Sequence, residues 1–221
     1  MCYGLGSFCT NSNAVKQLAL SINVYEELRS RLGEGCIRSL NIYDPAMTET
    51  DEEIARDSGM NVLKVNERGF HKAECSTIFI MPHCGRQLYH NALVANLACC
   101  YLDNIVIVGN SFQTYNISIM KSIERRQSAI IAMLPYTSET SLNFDVPKTD
   151  PHYFQYESAF SDLRYAGFAH LFQCELSGLN FVSSVHTFSK VSMETALEDP
   201  AVQCILENSL PDASDDEVLT H

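Results

Sequence analysis

The stretch STIFIMPHCG, residues 76–85, decides how this chain folds. Its first part is an apolar run that ends at Pro82, and a His-Cys-Gly sequence follows directly. A short apolar run without polar alternation is typical of a strand that is buried on both faces of a parallel sheet. The run therefore predicts a buried strand at residues 77–81, with small and polar residues at its carboxyl end.

A second stretch, NIVIVGNSF at residues 104–112, has the same order of apolar residues followed by small and polar ones. It predicts another buried strand at residues 104–108. Between the two stretches, residues 86–101 carry apolar side chains three or four positions apart, which is helical spacing. A helix that connects two buried strands is the crossover of a parallel sheet.

The same alternation of strands and helices extends through the rest of the chain. Towards the amino terminus the pattern predicts a strand end at 1–8, a helix at 13–32 and a strand at 39–43. A second helix is predicted to begin at a capping box at 50–53 and to end at Gly59, and a strand is predicted at 61–65. Beyond residue 112 it predicts helical structure at 117–134 and short strands at 158–160 and 169–172. The predicted fold class is α/β: a three-layer, Rossmann-like domain whose mostly parallel sheet has helices on both faces.

The composition is that of a globular protein, because 46% of the residues are hydrophobic. No run of eighteen apolar residues occurs, so no membrane span is expected, and the amino terminus lacks the features of a signal peptide. The nine cysteines are odd in number and include no CxxC pair, which predicts reduced thiols and no zinc site. We expect a cytoplasmic protein, with the nucleus as a second compartment.

The net charge of −12 is unevenly distributed along the chain. Eight of the 27 acidic residues lie beyond Lys190, where no lysine or arginine occurs. This asymmetry predicts a single domain at residues 1–190 and an acidic, disordered tail at residues 191–221. Because the composition offers no basic face, direct binding to nucleic acid is not expected.

Small and polar residues follow several of the predicted strands, and ligands of parallel sheets bind beyond the carboxyl ends of strands. Glycines at such an end let backbone N–H groups approach an anion, and an acid after the second strand can accept hydrogen bonds from sugar hydroxyls. The alternative is structural: turn glycines and an aspartate that caps the next turn. The candidate ligand-binding residues on this predicted rim are Gly4, Gly6, Asp44, His83, Asn110 and Ser111.

Neither polar cluster completes a catalytic motif. His83 and Cys84 are adjacent, so on a regular strand their side chains would point to opposite faces, whereas a nucleophilic pair needs hydrogen-bond reach. The sequence Gly109-Asn110-Ser111 begins like a nucleophile elbow, but Gln113 stands where the second glycine belongs. We therefore predict no catalytic residue and no metal site, and a non-enzymatic role is favoured.

Five segments occur in the order seen in the sensitivity-to-red-light-reduced family, which this chain resembles over roughly residues 2–168. They are CYGLGSF (2–8), YDP (43–45), STIFIMPHCGRQLYHNAL-AN (76–96, with position 94 unmatched), NIVIVGNSF (104–112) and AFSD (159–162). The matching positions are Gly4, Gly6, Asp44, Pro45, Pro82, His83, Cys84, Leu88, Tyr89, Asn91, Asn96, Gly109, Asn110, Ser111, Phe112 and Asp162. Family members usually carry a longer segment before the glycine turn, so a very short first strand or a truncated sequence is expected.

The resemblance implies a regulatory protein. Plant members are associated with light input to the circadian clock, and animal relatives with clock-gene expression and with regulation of haem biosynthesis. The implied partners are unknown proteins of the clock or haem pathway, and the family implies no reaction and no known cofactor. A second interpretation stays open: a Rossmann-like enzyme or sensor that binds a nucleotide-like cofactor such as S-adenosylmethionine, because the candidate residues stand at successive strand ends, as in methyltransferases.

Overall fold

The structure is a computed structural model that describes residues 1–33, 35–118, 121–141, 147–160, 163–166, 185–188 and 190–209. Its described strands form one sheet. In chain order they are β1 (Cys2–Tyr3), β2 (Asn41–Tyr43), β3 (Asn61–Val62), β4 (Thr77–Met81), β5 (Ile105–Asn110), β6 (Ser138–Ser141), β7 (Leu163–Ala166) and β8 (Val185–Thr187). The predicted buried strands at 77–81 and 104–108 are both confirmed, as β4 and β5.

The strand order in the sheet is β3-β2-β1-β4-β5-β7-β6-β8. The first five strands in this order are all parallel to one another, and β7 runs antiparallel to β5. The chain moves outward from β1 to β3 and then returns to the other side of β1 with β4. The gap between β1 and β4 is therefore a topological switch point, where Rossmann-like sheets open a crevice. The predicted α/β, Rossmann-like fold is confirmed.

Helices cover the sheet on both faces. They are α1 (Ser12–Leu32), α2 (Glu49–Asp57), α3 (Arg86–Ala98), α4 (Phe112–Ile117), α5 (Ser122–Arg126), α6 (Ala129–Met133), α7 (Tyr153–Phe160), α8 (Lys190–Glu198) and α9 (Pro200–Ser209). Ile80 packs with α1 and α2, whereas its neighbours Phe79 and Met81 pack with α3, α6, α8 and α9. Successive side chains of a strand point to opposite faces, so β4 contributes to both halves of the core.

Two local predictions are corrected by the structure. The capping box of α2 is formed by Thr48 and Asp51, not by a box that starts at Thr50: the Asp51 N–H donates to Thr48 Oγ1, and the Thr48 N–H donates to Asp51 Oδ2. The segment 117–134 is not one helix, because α4 ends at Ile117 and the chain forms the separate short helices α5 and α6.

The carboxyl-terminal predictions were the least successful. Residues 158–160 belong to helix α7 rather than to a strand, and residues 169–172 lie outside the described residues. The prediction of disorder from residue 191 is wrong for residues 191–209, which lie in α8 and α9. Met193 and Ala196, and likewise Val202 and Ile205, are three residues apart and join the core beside α3 and α6. The acidic residues of these helices are exposed to solvent. A prediction from charge alone therefore missed the apolar stripe on the opposite side of each helix.

Candidate functional site

The glycine turn after β1 is held against the end of β4. Gly4 and Gly6 have φ angles of 70° and 82°, the left-handed region that favours glycine. A Cβ atom on Gly4 would overlap the Cys84 Sγ. The Cys84 thiol in turn donates to the Tyr3 carbonyl at 3.4 Å. Gly4 is therefore required both by its backbone conformation and by the close approach of β1 and β4.

Two carboxylates of the chain itself occupy backbone donors of this turn. The Gly6 N–H donates to Asp44 Oδ2 at 2.8 Å, and the Cys9 N–H donates to Asp51 Oδ1 at 2.9 Å. Asp51 is completely buried and also accepts from the Thr48 N–H and hydroxyl, each at 2.8 Å. These two backbone donors of the turn are therefore occupied by side chains of the chain itself.

The Asp51 carboxylate is stabilised in its ionised form. Burial alone would raise the pKa of this carboxyl group, because a charge is costly away from water. Hydrogen bonds from Thr48 and from the Cys9 N–H outweigh that effect and lower the pKa below its usual range. Asp51 is therefore a structural anion that joins α2 to the glycine turn.

Asp44 has a related position but is only half-buried. Its Oδ2 accepts from Gly6, and its Oδ1 accepts from the Ala46 N–H at 2.7 Å. This is the turn-capping role that the sequence left open as an alternative. Each carboxylate oxygen still has a second lone pair, so Asp44 can also accept a hydrogen bond from a ligand hydroxyl.

The ends of β4 and β5 are joined by a second network. The His83 N–H donates to Asn110 Oδ1 at 2.9 Å, which brings two of the predicted site residues together. The Asn110 amide donates to the Tyr115 hydroxyl at 2.9 Å, and this hydroxyl donates to the Cys84 carbonyl at 2.9 Å. His83 has a φ of 53°, a conformation uncommon outside glycine. The network binds it to β5 in this conformation.

Tyr89 and Tyr115 are the residues of this network that sequence reasoning did not single out as functional. Tyr89 is fully buried on α3; its hydroxyl donates to the Met81 carbonyl and accepts from the Asn110 N–H at 2.8 Å. A Cβ atom on Gly109 would overlap that hydroxyl, which explains the glycine in β5. Burial raises the pKa of Tyr89 well above its ordinary value, so the hydroxyl remains a donor. The only signal for Tyr89 in the sequence was its place among the positions that match the family, because within α3 it stands beside the polar residues His90 and Asn91.

The His83 ring and helix α7 meet at the same rim. The His83 Nε2 lies 3.0 Å from the Ala159 carbonyl oxygen, which also accepts from the Gln17 amide at 2.9 Å. The Asn13 amide donates to the Ser158 hydroxyl at 2.9 Å. Side chains from α1 and from the end of β4 thus satisfy the carboxyl end of α7, where helical carbonyls lack intrahelical partners.

Ser111 and Cys84 lie away from solvent. Ser111 is buried and precedes α4 without a side-chain capping hydrogen bond; the Phe112 N–H donates instead to Glu139 Oε2 at 3.1 Å. Burial, with a contribution from the nearby Asp44 charge, raises the pKa of the Cys84 thiol to about 12. At neutral pH this thiol is protonated, and a nucleophilic Cys84 is therefore not supported.

A separate, open cleft lies beyond the carboxyl ends of β2 and β3. Its volume is about 430 Å³, and its lining includes Tyr43, Asp44, Met47, Arg56, Met60 and Lys64. Arg56 is paired with Glu52, also in the lining, at 2.5 Å. Asp44 is the one predicted site residue that lines this cleft. Sequence reasoning did not place the other lining residues together, because apart from Tyr43 and Pro45 of the YDP segment they form no motif and come from different elements.

Two further observations concern metal ions and membranes. Within the described ranges, His, Cys, Asp and Glu side chains form no group of three that could hold a metal ion. In that same part of the chain, no helix is both long and apolar enough to cross a membrane.

Comparisons with known proteins give a consistent result. A sequence profile of the SRR1 domain matches residues 1–166. The SRR1-like protein of Mus musculus is 34% identical over 51% of this chain and 44% of its own length. Protein SENSITIVITY TO RED LIGHT REDUCED 1 of Arabidopsis thaliana is 32% identical over 63% of the chain and 50% of its own length. The chain spans about half the length of the curated relatives it matches. No solved structure matches it significantly.

Proposed function

Because the chain belongs to the SRR1-domain family, we propose that it is a regulatory protein that acts in a circadian clock input pathway. In this role it regulates clock-gene expression or haem biosynthesis through protein partners rather than through catalysis. The name of the Arabidopsis relative refers to a reduced sensitivity to red light, which supports a place in a light-dependent pathway. The structural observation that carries the proposal is the use of His83 and Asn110 to satisfy backbone and side-chain groups at the ends of β4 and β5.

Removal of the gene tests this proposal. We expect the deletion to change the period of the rhythm or the amplitude of clock transcripts, and a wild-type copy to restore both. Transcripts of haem-biosynthesis enzymes, measured in the same strains, distinguish the two regulatory branches. Unchanged rhythms in constant conditions and under light entrainment, together with unchanged haem transcripts, would refute the proposal.

The same proposal includes a location. We expect the protein in the cytoplasm and, as a second compartment, in the nucleus, where regulators of gene expression meet their partners. Imaging of a tagged copy expressed at its native level checks this location. Exclusive association with a membrane fraction would contradict it.

A second candidate function is a Rossmann-like enzyme or sensor that binds a nucleotide-like cofactor such as S-adenosylmethionine. The observation that favours it is the position of Gly4, Gly6 and Asp44 at the switch point, where such sheets bind ligands. A ligand at a hundredfold excess over its dissociation constant stabilises a protein by about 2.7 kcal/mol, which a thermal-shift screen detects. A flat screen of adenosine-containing compounds against folded protein would eliminate this candidate.

A further inference from the structure

The cleft beyond β2 and β3 has the size and position of a small-molecule site. Its volume of about 430 Å³ lies within the range of ligand pockets, which is roughly 300–1,000 Å³. It begins at the carboxyl end of β2, beside the switch point, and Asp44 links it to the glycine turn through the hydrogen bond to Gly6.

The lining offers complementary groups for a sugar and for a flat base. Asp44 accepts hydrogen bonds, and an acid at the end of β2 accepts from ribose hydroxyls in dinucleotide-binding folds. Tyr43, Met47, Met60 and Leu63 also line the cleft and give it apolar surface against which a planar ring can lie. Asn61 donates to Asn41 at 3.1 Å, and its side-chain oxygen is a possible acceptor at the edge of the cleft.

The same geometry disfavours a phosphate next to the sugar. In a dinucleotide-binding fold the pyrophosphate binds to backbone N–H groups of the glycine turn. Here Gly6 and Cys9 already donate to Asp44 and Asp51, so the turn carries two carboxylates at this place. A phosphate would displace or repel these carboxylates. The charged side chains in the cleft are two acids, Asp44 and Glu52, and two bases, Arg56 and Lys64, so the lining has no excess of positive charge.

From these observations we propose that the cleft binds an uncharged nucleoside moiety, a ribose with a planar base, and selects against a pyrophosphate on it. The inference rests on the second candidate function and adds to it the place of binding and the class of ligand. Among adenosine-containing compounds, it favours those without a phosphate, such as adenosine itself and S-adenosylmethionine, over ADP and NAD.

Binding and mapping of three probes test this proposal. Isothermal titration of the full chain with adenosine, ADP and NAD should give a measurable affinity for adenosine and an affinity at least about tenfold weaker for the two phosphate compounds. Amide NMR shifts on adenosine addition should be largest at residues 43–47 and 60–64. Failure of adenosine to bind folded protein at about 1 mM, or tighter binding of ADP or NAD, would overturn the proposal.

The mapping also separates this inference from the function on which it rests. If adenosine binds but the shifts cluster at residues 83–85 and 109–112, the second candidate function is retained and the cleft is not the place of binding. If no adenosine-containing compound binds to the folded protein, both the second candidate function and the proposed nucleoside site are wrong.

Three variants link binding to the cleft. Asp44→Asn should weaken adenosine binding by about tenfold, the loss expected for one good hydrogen bond to a charged group. Because Asp44 also holds Gly6 and Ala46, this variant can lose its fold, so Met47→Trp, which fills the cleft from another side, is the second test. Val65→Ala is the matched control, since Val65 is 58% exposed and does not line the cleft. Unchanged affinity in folded Met47→Trp would overturn the proposal.

Discussion

The ends of β4 and β5 and the ends of β2 and β3 lie on the same edge of one sheet but are built differently. At β4 and β5, the motif residues His83 and Asn110 bond to each other, to Tyr115 and to the carboxyl end of α7. At β2 and β3, the YDP segment with Asp44 lies beside an open cleft, and the lining residues contributed by α2, β3 and the segment after β3 belong to no family segment. The comparison teaches that His83 and Asn110, which stand out in the sequence, hold strand ends together, while the open cleft is lined mostly by residues that do not stand out in the sequence.

The largest effect is expected in the core, within the strand β5 of the first region. Ile107 is fully buried in β5, next to the network but without polar contacts of its own. Ile107→Ala should lower the free energy of unfolding by about 2–5 kcal/mol, because it leaves a cavity. Denaturant midpoints measure this change and set the scale for the polar variants. A loss below about 1 kcal/mol would mean that the sheet is not packed as described here.

An asparagine pair compares the two regions with the same chemical change. Asn110→Ala leaves the His83 N–H without its side-chain acceptor and removes the amide bond to the Tyr115 hydroxyl, which keeps its bond to the Cys84 carbonyl; the variant should cost about 1–3 kcal/mol. Asn61→Ala, in the cleft, removes only a bond to the Asn41 side chain and should change stability by less than about 0.5 kcal/mol. Chemical denaturation of both variants in parallel checks this prediction. Equal losses would remove the distinction between a structural rim and an open cleft.

A pH-dependent effect is expected at Asp51, which lies between the two regions. Its folded-state pKa is lowered, so its contribution to stability is present above the ordinary carboxyl pKa of about 4 and is lost as the pH falls below it. Asp51→Asn cannot titrate and should therefore flatten the fall in stability on acidification. Thermal melts from neutral pH to about pH 3 measure the slope. An unchanged slope in the variant would show that other carboxylates dominate.

The smallest effects are expected at exposed residues on the two sides. His83→Ala removes the ring contact with Ala159 but keeps the backbone bond to Asn110, and should cost about 1 kcal/mol. Lys64→Ala removes an exposed side chain from the cleft and should stay within about 0.5 kcal/mol. Denaturant midpoints separate the two. If His83→Ala lowered the free energy of unfolding as much as Ile107→Ala does, the rim would contribute as much to stability as the core.

The sequence was sufficient to predict those helices and strands in which the spacing of apolar residues is regular from one end of the element to the other. Helix α1 and strands β4 and β5 were predicted nearly to their observed bounds, because their apolar spacing is regular over the whole element. The helices α8 and α9 were missed because the segment was judged by its charge, although Val202 and Ile205 carry the helical spacing. A run of acids excludes burial of those acids but not of the residues between them.

For the site, the sequence predicted which residues stand at strand ends but not what they contact. The partners of His83 and Asn110 come from other elements: the Ala159 carbonyl lies 76 residues from His83, and Tyr89 lies 21 residues from Asn110. The capping box was placed two residues too late for a different reason. Thr48 and Asp51 match the motif with an aspartate in place of the glutamate that marks it most often.

The shared acceptor at Ala159 has a consequence for the order in which the molecule assembles. Its two hydrogen bonds join residues that are 142 and 76 positions apart, so each closes a long loop of chain. Contacts of high sequence separation carry a larger entropic cost before they stabilise anything. Docking of α7 is therefore expected after the local β4–α3–β5 unit has formed. On rapid dilution from denaturant, the fluorescence of tyrosines in that unit should reach its native value before amide protection develops in α7.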